Sequence, residues 1–173
     1  MDILFSHVSI VTMDERMSVW VDAFLGVTDG KIAYIGKNAP EEKSDRILDG
    51  AGMVLMPGLV NCHTHLPMSL LRGYGEELPL SEWLSRSIFP QEERMDARSV
   101  KAAALLSIAE CLRFGVTSVS DMYFCSDAVA EAVAESGIKA NLCHAVTTDR
   151  TDDFDPDTDP DFREGEALSK YAL

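Results

Sequence analysis

Apolar and polar residues alternate through much of the first fifty-odd residues, with the period of a half-buried β-strand. In DILFSHVSIVT, the apolar residues Leu4, Val8 and Ile10 fall on one face. Asp29-Gly30 separates two further apolar runs, and an Asp-Gly pair in that position is a strong signal for a tight hairpin. Two short apolar runs split by glycines follow. The pattern therefore predicts a small antiparallel β layer over residues 1–56.

The period changes at Pro57, where strands begin to alternate with helical patterns. GLVNCHTH, VTSVSDMYF and KANLCHAV are typical of short strands, and a short amphipathic piece is predicted at LSEWLSRSIF. Asp96 can cap a helix over residues 97–114, which Gly115 would end. The stretch SDAVAEAVAES predicts a second helix, capped by Ser126 and closed by Gly137.

An acidic, proline-bearing loop follows the third strand, and EGEALSKYAL is predicted to begin a third helix. Its DDFDPDTDPD segment lacks the glycine and closing glutamate of an EF-hand loop, so we interpret it as a solvated loop. The order β-α-β-α-β-α is typical of an α/β protein with parallel strands and crossover helices.

Charge and composition limit the classes of molecule that the chain is expected to bind. The 173 residues carry 15 basic and 29 acidic side chains, for a net charge of −14. Such a surface repels phosphate backbones and anionic lipid, so we expect no nucleic-acid and no membrane partner. A free nucleoside, which is recognised inside a pocket, remains compatible with that charge. No apolar run approaches membrane-spanning length and no secretory signal is visible, so we predict a cytoplasmic protein.

The four cysteines are widely spaced, without a C-x-x-C pair, which argues against a structural zinc knuckle. Reduced, mostly buried thiols are expected. Cys62 adjoins His63, but strand alternation directs the two side chains to opposite faces, which disfavours Cys62 as a metal ligand.

The two histidines of PGLVNCHTHLPMSLLRG are the strongest candidates for chemistry. His63 and His65 are separated by one residue, so on a strand both imidazoles point to the same face and can reach one divalent cation. Imidazole nitrogen suits zinc or iron. The alternative is an ordinary strand that carries two histidines by chance. The pair lies at a strand's C-terminal end, where the reactive groups of parallel β/α proteins gather.

The same stretch resembles the first-strand motif of the amidohydrolase superfamily, P-G-hydrophobic-hydrophobic-(N/D)-x-H-x-H. HLPMSLLRGYGEELPLSEWL, IFPQEERM and GVTSVSDMYF resemble a narrower branch, that of the 5-methylthioadenosine/S-adenosylhomocysteine deaminases and chlorohydrolases. The resemblance implies the N-terminal part of a (β/α)8 TIM-type barrel over residues 57–173. It also implies that residues 1–56 form part of a small β-sandwich domain built from both chain ends.

The resemblance further implies one divalent metal ion, with zinc favoured and iron as the alternative. It makes His63 and His65 the first two metal ligands. The implied reaction is attack of a metal-activated water on a purine ring carbon, with release of ammonia. The implied substrate is an adenosine-like nucleoside: 5-methylthioadenosine, S-adenosylhomocysteine or adenosine.

Three further residues are candidates for substrate binding. By the resemblance, Glu92 would accept hydrogen bonds from ribose hydroxyls, and its alternative is a glutamate favoured by a helix first turn. Arg163 would reach the substrate's polar tail, and its alternative is an exposed arginine. His144 ends the third strand and is expected to line the pocket, or else to be a core histidine. The deaminase branch often shows arginine near that position. Because His144 departs from that pattern, the resemblance does not identify the exact substrate. Asp121 is expected to hold a loop by hydrogen bonding rather than to act in catalysis.

The branch also needs further ligands and a general acid/base from later strands, which we expect beyond residue 173. No catalytic residue is therefore assigned within the chain, which we interpret as the N-terminal part of a longer protein. Guanine deaminase, triazine-type chlorohydrolase and a non-catalytic fragment are the alternatives. As protein partners of the chain we expect either further copies of it, in a homo-oligomer, or the complementing remainder of the same protein.

Overall fold

The chain divides into two compact units, Met1–Pro57 and Gly58–Leu173. The computed structural model describes residues 1–146 and 155–168. The division falls one residue after the boundary expected from the sequence at residue 56. Within the described residues, no helix combines the length and the apolarity needed to cross a membrane.

The first unit is a five-stranded sheet. Its strands are β1 (Ile3–Val11), β2 (Val19–Thr28), β3 (Lys31–Gly36), β4 (Arg46–Asp49) and β5 (Val54–Leu55). The order is β3-β2-β1-β4, with β5 also paired to β1. β2 and β3 form the predicted hairpin, in which Asp29 and Gly30 have φ angles of 49° and 69°. Positive φ at both central residues is what a type I′ hairpin turn requires, and this confirms the Asp-Gly interpretation.

The prediction of an antiparallel layer is wrong for the last two strands. Both β4 and β5 run parallel to β1, so the sheet is mixed. The polar segment 37–45 carries the chain from β3, at one edge, to the free side of β1 at the other. Since β3 itself runs parallel to β1, this crossover starts β4 in the same direction as β1. Local alternation reports which face is buried and holds no information on strand direction.

One face of this sheet is buried as the alternation predicts. Leu4, Val8 and Ile10 are 7%, 2% and 3% exposed. They lie on the same strand, and Val8 and Ile10 pack with Ala23 and Leu25 of β2 in a small apolar core.

The second unit contains three parallel strands in the order β6-β7-β8. They are β6 (Leu59–Thr64), β7 (Val116–Tyr123) and β8 (Lys139–His144). β6 is followed by a 3₁₀ helix over Leu66–Leu71. A helical segment comes next, made up of α1 (Leu80–Glu82), a π-helical stretch over Trp83–Ile88, and α2 (Phe89–Glu92). The longer helices are α3 (Ala97–Arg113), α4 (Ser126–Ser136) and α5 (Pro160–Ala167). The β/α alternation and the parallel pairing are confirmed.

Helix α3 forms as its caps predict. The Asp96 side chain accepts a hydrogen bond from the Ser99 backbone N–H over 2.8 Å, and Gly115 follows the helix with φ of 80°. Val100 and Ile108 are 0% and 1% exposed, and they pack in the unit's core with Val119 of β7. The sheet is thus held against its crossover helices.

Two helix starts differ from the sequence prediction. Ser126 is the first residue of α4, where Cys125 with φ of 49° takes the N-cap position, and the Ser126 hydroxyl bonds to His144 instead of capping the helix. Helix α5 begins at Pro160, four residues before the predicted start. Asp159 caps it by accepting from the Phe162 N–H over 2.8 Å. An aspartate followed by proline at N1 is a strong start signal that the acidic composition of the loop obscured.

Candidate active site

The two histidines lie together at the carboxyl end of β6. His63 belongs to the strand, and His65 follows its last residue, just before the 3₁₀ helix begins. Their ring centroids are 5.0 Å apart, with the planes almost perpendicular at 82°. The His63 side chain is exposed and His65 is half-buried. The structure thus brings the two imidazoles close enough to share one cation.

A hydrogen bond to a backbone carbonyl determines which ring nitrogen of His65 carries the proton. Its Nδ1 lies 2.6 Å from the carbonyl oxygen of Met122 in β7. Because a carbonyl oxygen can only accept, Nδ1 must carry the proton, and the lone pair then resides on Nε2. This arrangement is typical of metal-ligating histidines, whose second nitrogen is anchored by a carbonyl or carboxylate.

The residues present fit part of a metal site. The donors are two imidazoles, one of which has its Nε2 lone pair available. Within residues 1–146 and 155–168, no group of three or more His, Cys, Asp or Glu side chains is arranged to hold a metal ion. The pair therefore supplies two of the ligands that a divalent cation needs.

Asp121 holds the chain directly after the pair. Its Oδ1 accepts a 2.6 Å hydrogen bond from the backbone N–H of Leu66, and the residue is only 2% exposed. Burial raises the pKa of its carboxyl from 3.8 to about 6, against the opposing effects of the Leu66 hydrogen bond and of nearby His65. This is the loop-holding role that the sequence favoured.

Glu92 is connected to this region through Tyr123, a residue that sequence reasoning missed. The Tyr123 hydroxyl donates to Glu92 Oε1 over 2.7 Å, and its ring centroid lies 6.4 Å from that of His65. Burial, followed by the hydrogen bond to Glu92, raises the pKa of Tyr123 above its ordinary value, so the phenol remains a donor. Its position two residues after Asp121, on the same strand face, was the available signal.

A cavity of about 460 Å³ adjoins His65. Its wall includes Trp83 and Tyr74, which are joined by a 2.9 Å hydrogen bond from the indole N–H to the Tyr74 carbonyl. Arg72 and Glu110 also line it and form a bidentate ion pair, with N–O distances of 3.0 and 2.8 Å. The volume is in the range of small-molecule pockets.

His144 occupies a different environment from the histidine pair. It is the last residue of β8 and pairs in register with Tyr123 of β7. The His144 side chain is 1% exposed. Its Nδ1 contacts the Ser126 hydroxyl, and two carboxylates of α5, Asp161 and Glu164, lie 3.8 and 3.7 Å from its ring nitrogens. Its role in substrate binding stays a prediction, and α5 covers the ring here.

Arg163 lies on the surface of α5. Its side chain is 60% exposed and forms an ion pair with Glu166 over 2.7 Å, one helical turn away. No contact among the described residues joins Arg163 to the histidine pair, and its predicted role in binding the substrate's tail stays a prediction. Part of the acidic loop between β8 and α5, residues 147–154, lies outside the described residues.

The family model of the amidohydrolase family matches residues 54–172, which is more than half of the chain. The chain belongs to the amidohydrolase family. The match begins within β5 and includes the histidine pair, Asp121 and every β/α element of the second unit.

Amidohydrolase relatives with assigned activities are similar over most of this chain. The 5′-deoxyadenosine deaminase of Methanosarcina acetivorans is 41% identical over 145 residues, which are 84% of this chain and 33% of that protein. The 5-methylthioadenosine/S-adenosylhomocysteine deaminase of Acetivibrio thermocellus is 40% identical over 152 residues, 86% of this chain and 35% of that protein. The chain thus spans about a third of the length of these relatives.

Solved amidohydrolase structures share the fold. An adenosine deaminase from Xanthomonas campestris with bound zinc is 34% identical, with a TM-score of 0.74 over 80% of this chain and 33% of that one. The atrazine chlorohydrolase of Arthrobacter aurescens TC1, complexed with zinc, is 25% identical with a TM-score of 0.74, over 82% of this chain and 35% of that one.

Proposed function

We propose that this chain forms the N-terminal part of a metal-dependent hydrolytic deaminase of adenosine-like nucleosides. Its substrates would be 5′-deoxyadenosine, 5-methylthioadenosine, S-adenosylhomocysteine or adenosine. The observation that carries the proposal is the His63–His65 pair at the carboxyl end of a parallel strand, in a chain about 40% identical to deaminases of these nucleosides.

The proposed architecture is a (β/α)8 barrel of which this chain supplies the first three β/α units. The parallel order β6-β7-β8 supports it, as does the likeness to zinc-containing amidohydrolase structures. The mixed sheet of residues 1–57 would be one part of a composite β-sandwich. Further metal ligands and a proton-transferring group would come from later strands.

In the proposed mechanism, His63 and His65 hold the divalent cation, for which zinc is the first candidate and iron the second. When bound, such a cation supplies the Lewis acidity that activates water for attack on the purine ring carbon bearing the amino group. The Met122 carbonyl keeps His65 in the tautomer with Nε2 free, and Asp121 fixes the turn that follows. Ammonia leaves after a proton is delivered to the departing nitrogen.

Glu92 is proposed to accept hydrogen bonds from the ribose hydroxyls, since a carboxylate offers several acceptor positions. Glu92→Ala should therefore weaken the binding of nucleoside substrates far more than the binding of free bases. An equal loss on a nucleoside and on guanine would contradict the ribose contact.

A substrate panel tests the proposal. The intact protein that carries these residues is loaded with zinc and given adenosine, 5′-deoxyadenosine, 5-methylthioadenosine, S-adenosylhomocysteine, guanine and a chlorotriazine. Ammonia release from the adenosine-like nucleosides is the expected result. Ammonia from guanine alone would contradict the proposal and favour a guanine deaminase. Chloride from the triazine alone would contradict it and favour a chlorohydrolase.

The 173-residue chain by itself is proposed to bind zinc weakly and to be inactive, because residues 1–146 and 155–168 offer two of the ligands that a catalytic site needs. Mass, metal content and ammonia release of the purified chain test this. A 19 kDa species that holds one tightly bound zinc and turns over would contradict it.

A further inference from the structure

Tyr123 stands between the histidine pair and Glu92. It is the last residue of β7 and is 5% exposed. Its hydroxyl is 2.7 Å from Glu92 Oε1 and 3.8 Å from the Met95 sulfur. Its ring is stacked on that of Phe124, with centroids 4.3 Å apart, and approaches His65. Strand and stacking together leave this side chain little freedom to move.

We propose that Tyr123 is the positioning residue that orients the Glu92 carboxylate for nucleoside recognition. The inference rests on the proposed function and adds a residue to it. Glu92 ends the short helix α2, and its long side chain has several rotamers of similar energy. The phenol donates to one oxygen, Oε1, and the described residues donate no hydrogen bond to Oε2. The carboxylate keeps free acceptor positions for the substrate.

The consequence for binding is preorganisation. A carboxylate that is already held loses less conformational entropy when the substrate binds. Because Tyr123 also contacts the ring of a proposed metal ligand, it fixes the distance between the reaction centre and the ribose-binding group. Removal of the hydroxyl should therefore affect only substrates that carry ribose hydroxyls, and should affect KM far more than kcat.

The test compares Tyr123→Phe with wild type in the intact, zinc-loaded protein, with adenosine and 2′,3′-dideoxyadenosine as the two substrates. The variant keeps the ring and its stacking on Phe124. We expect KM for adenosine to rise roughly tenfold with kcat within about twofold, and KM for the dideoxy analogue to stay unchanged. Tyr34→Phe is the matched control, since its hydroxyl donates to the Asn38 carbonyl within the first unit.

A double variant makes the assignment specific. In a Glu92→Ala background, Tyr123→Phe should cause less than about a twofold further change in KM for adenosine, because the carboxylate that the phenol would orient is already absent. Thermal melting of each variant reports folding. If Tyr123→Phe does not fold, Glu92→Ala alone decides: it must raise KM for adenosine and leave KM for the dideoxy analogue unaffected, and failure to do so overturns the inference.

The outcomes separate the inference from the proposed function. Equal changes with both substrates, or a loss confined to kcat, would overturn the positioning role while the deaminase activity stands. Wild-type protein that releases ammonia from neither nucleoside would overturn the proposed function, and the role of Tyr123 with it.

Discussion

The Nδ1 atom of His65 donates a hydrogen bond of 2.6 Å to the backbone carbonyl oxygen of Met122. This contact joins the carboxyl ends of two neighbouring parallel strands. It depends on backbone rather than on a particular side chain at position 122. The sheet itself therefore presents Nε2 of His65 as the free ligand atom.

The first prediction concerns the tautomer of His65. In metal-free protein, the neutral imidazole of His65 should carry its proton on Nδ1, because the Met122 carbonyl can only accept. Long-range ¹H–¹⁵N correlation spectra of the imidazoles distinguish the two tautomers. An Nε2-protonated His65 would contradict the geometry.

The second prediction concerns metal binding. His63→Ala and His65→Ala should each weaken zinc binding by at least about tenfold. Removing a group that only hydrogen-bonds to a metal ligand already lowers metal affinity by about that factor, and removing a ligand should lower it no less. His7→Ala is the control, because His7 is an exposed histidine of the first unit and pairs with Asp22 over 2.8 Å. Competition with a chromogenic chelator measures the affinity. Equal effects of all three substitutions would show that the histidine pair is not the zinc site.

The third prediction concerns the pH dependence of stability through Asp121. Its pKa is raised from 3.8 to about 6 in the folded protein, so between those values the folded state binds a proton that the unfolded state has released. Its contribution to stability therefore falls as pH rises, by about 2 kcal/mol between pH 4 and pH 6 and by about 3 kcal/mol over the whole titration.

Asp121→Asn removes this titration and keeps an oxygen that can accept from the Leu66 N–H. The free energy of unfolding of the variant minus that of wild type should become more positive from pH 4 to pH 6 and level off above about pH 7. Urea unfolding of metal-free protein at several pH values measures the difference. A difference that stays constant across this range would mean that the carboxyl titrates normally.

The fourth prediction concerns the face by which α3 packs. Ile108 is 1% exposed and Leu106, on the same helix, is 49% exposed. Ile108→Ala should destabilise the protein by about 2–5 kcal/mol, because it leaves a cavity among packed side chains. Leu106→Ala should cost less than about 1 kcal/mol. Comparable losses, measured by urea unfolding, would contradict the assigned face.

Local signals predicted the parts of the fold that local physics determines. The Asp29-Gly30 turn, the Asp96 cap and the apolar faces of β1 and α3 each depend on a few neighbouring residues, and all are confirmed. The direction of β4 and β5 depends on how segment 37–45 crosses the sheet, which residue type does not encode. The Ser126 hydroxyl was predicted to cap α4 and instead bonds to His144, a partner 18 residues away.

In the candidate site, too, the features that depend on neighbouring residues were predicted, and those that depend on residues distant in the sequence were not. The spacing of His63 and His65 was sufficient to predict adjacent imidazoles, because strand geometry is local. Tyr123 was missed because its importance arises from Glu92, which lies 31 residues earlier in the chain. His144 was expected to line the substrate pocket, and this stays a prediction; its ring is buried beside Asp161 and Glu164 of α5, a contact that no local pattern indicated.

The central claim is that the histidine pair serves a nucleoside deaminase. Its most direct test is ammonia release from 5′-deoxyadenosine and 5-methylthioadenosine by the intact, zinc-loaded protein, beside the His63→Ala/His65→Ala double variant. We expect turnover by wild type and a loss of at least about a thousandfold in the double variant. Wild-type protein with stoichiometric zinc and no ammonia release, or a double variant that is equally active, would contradict it.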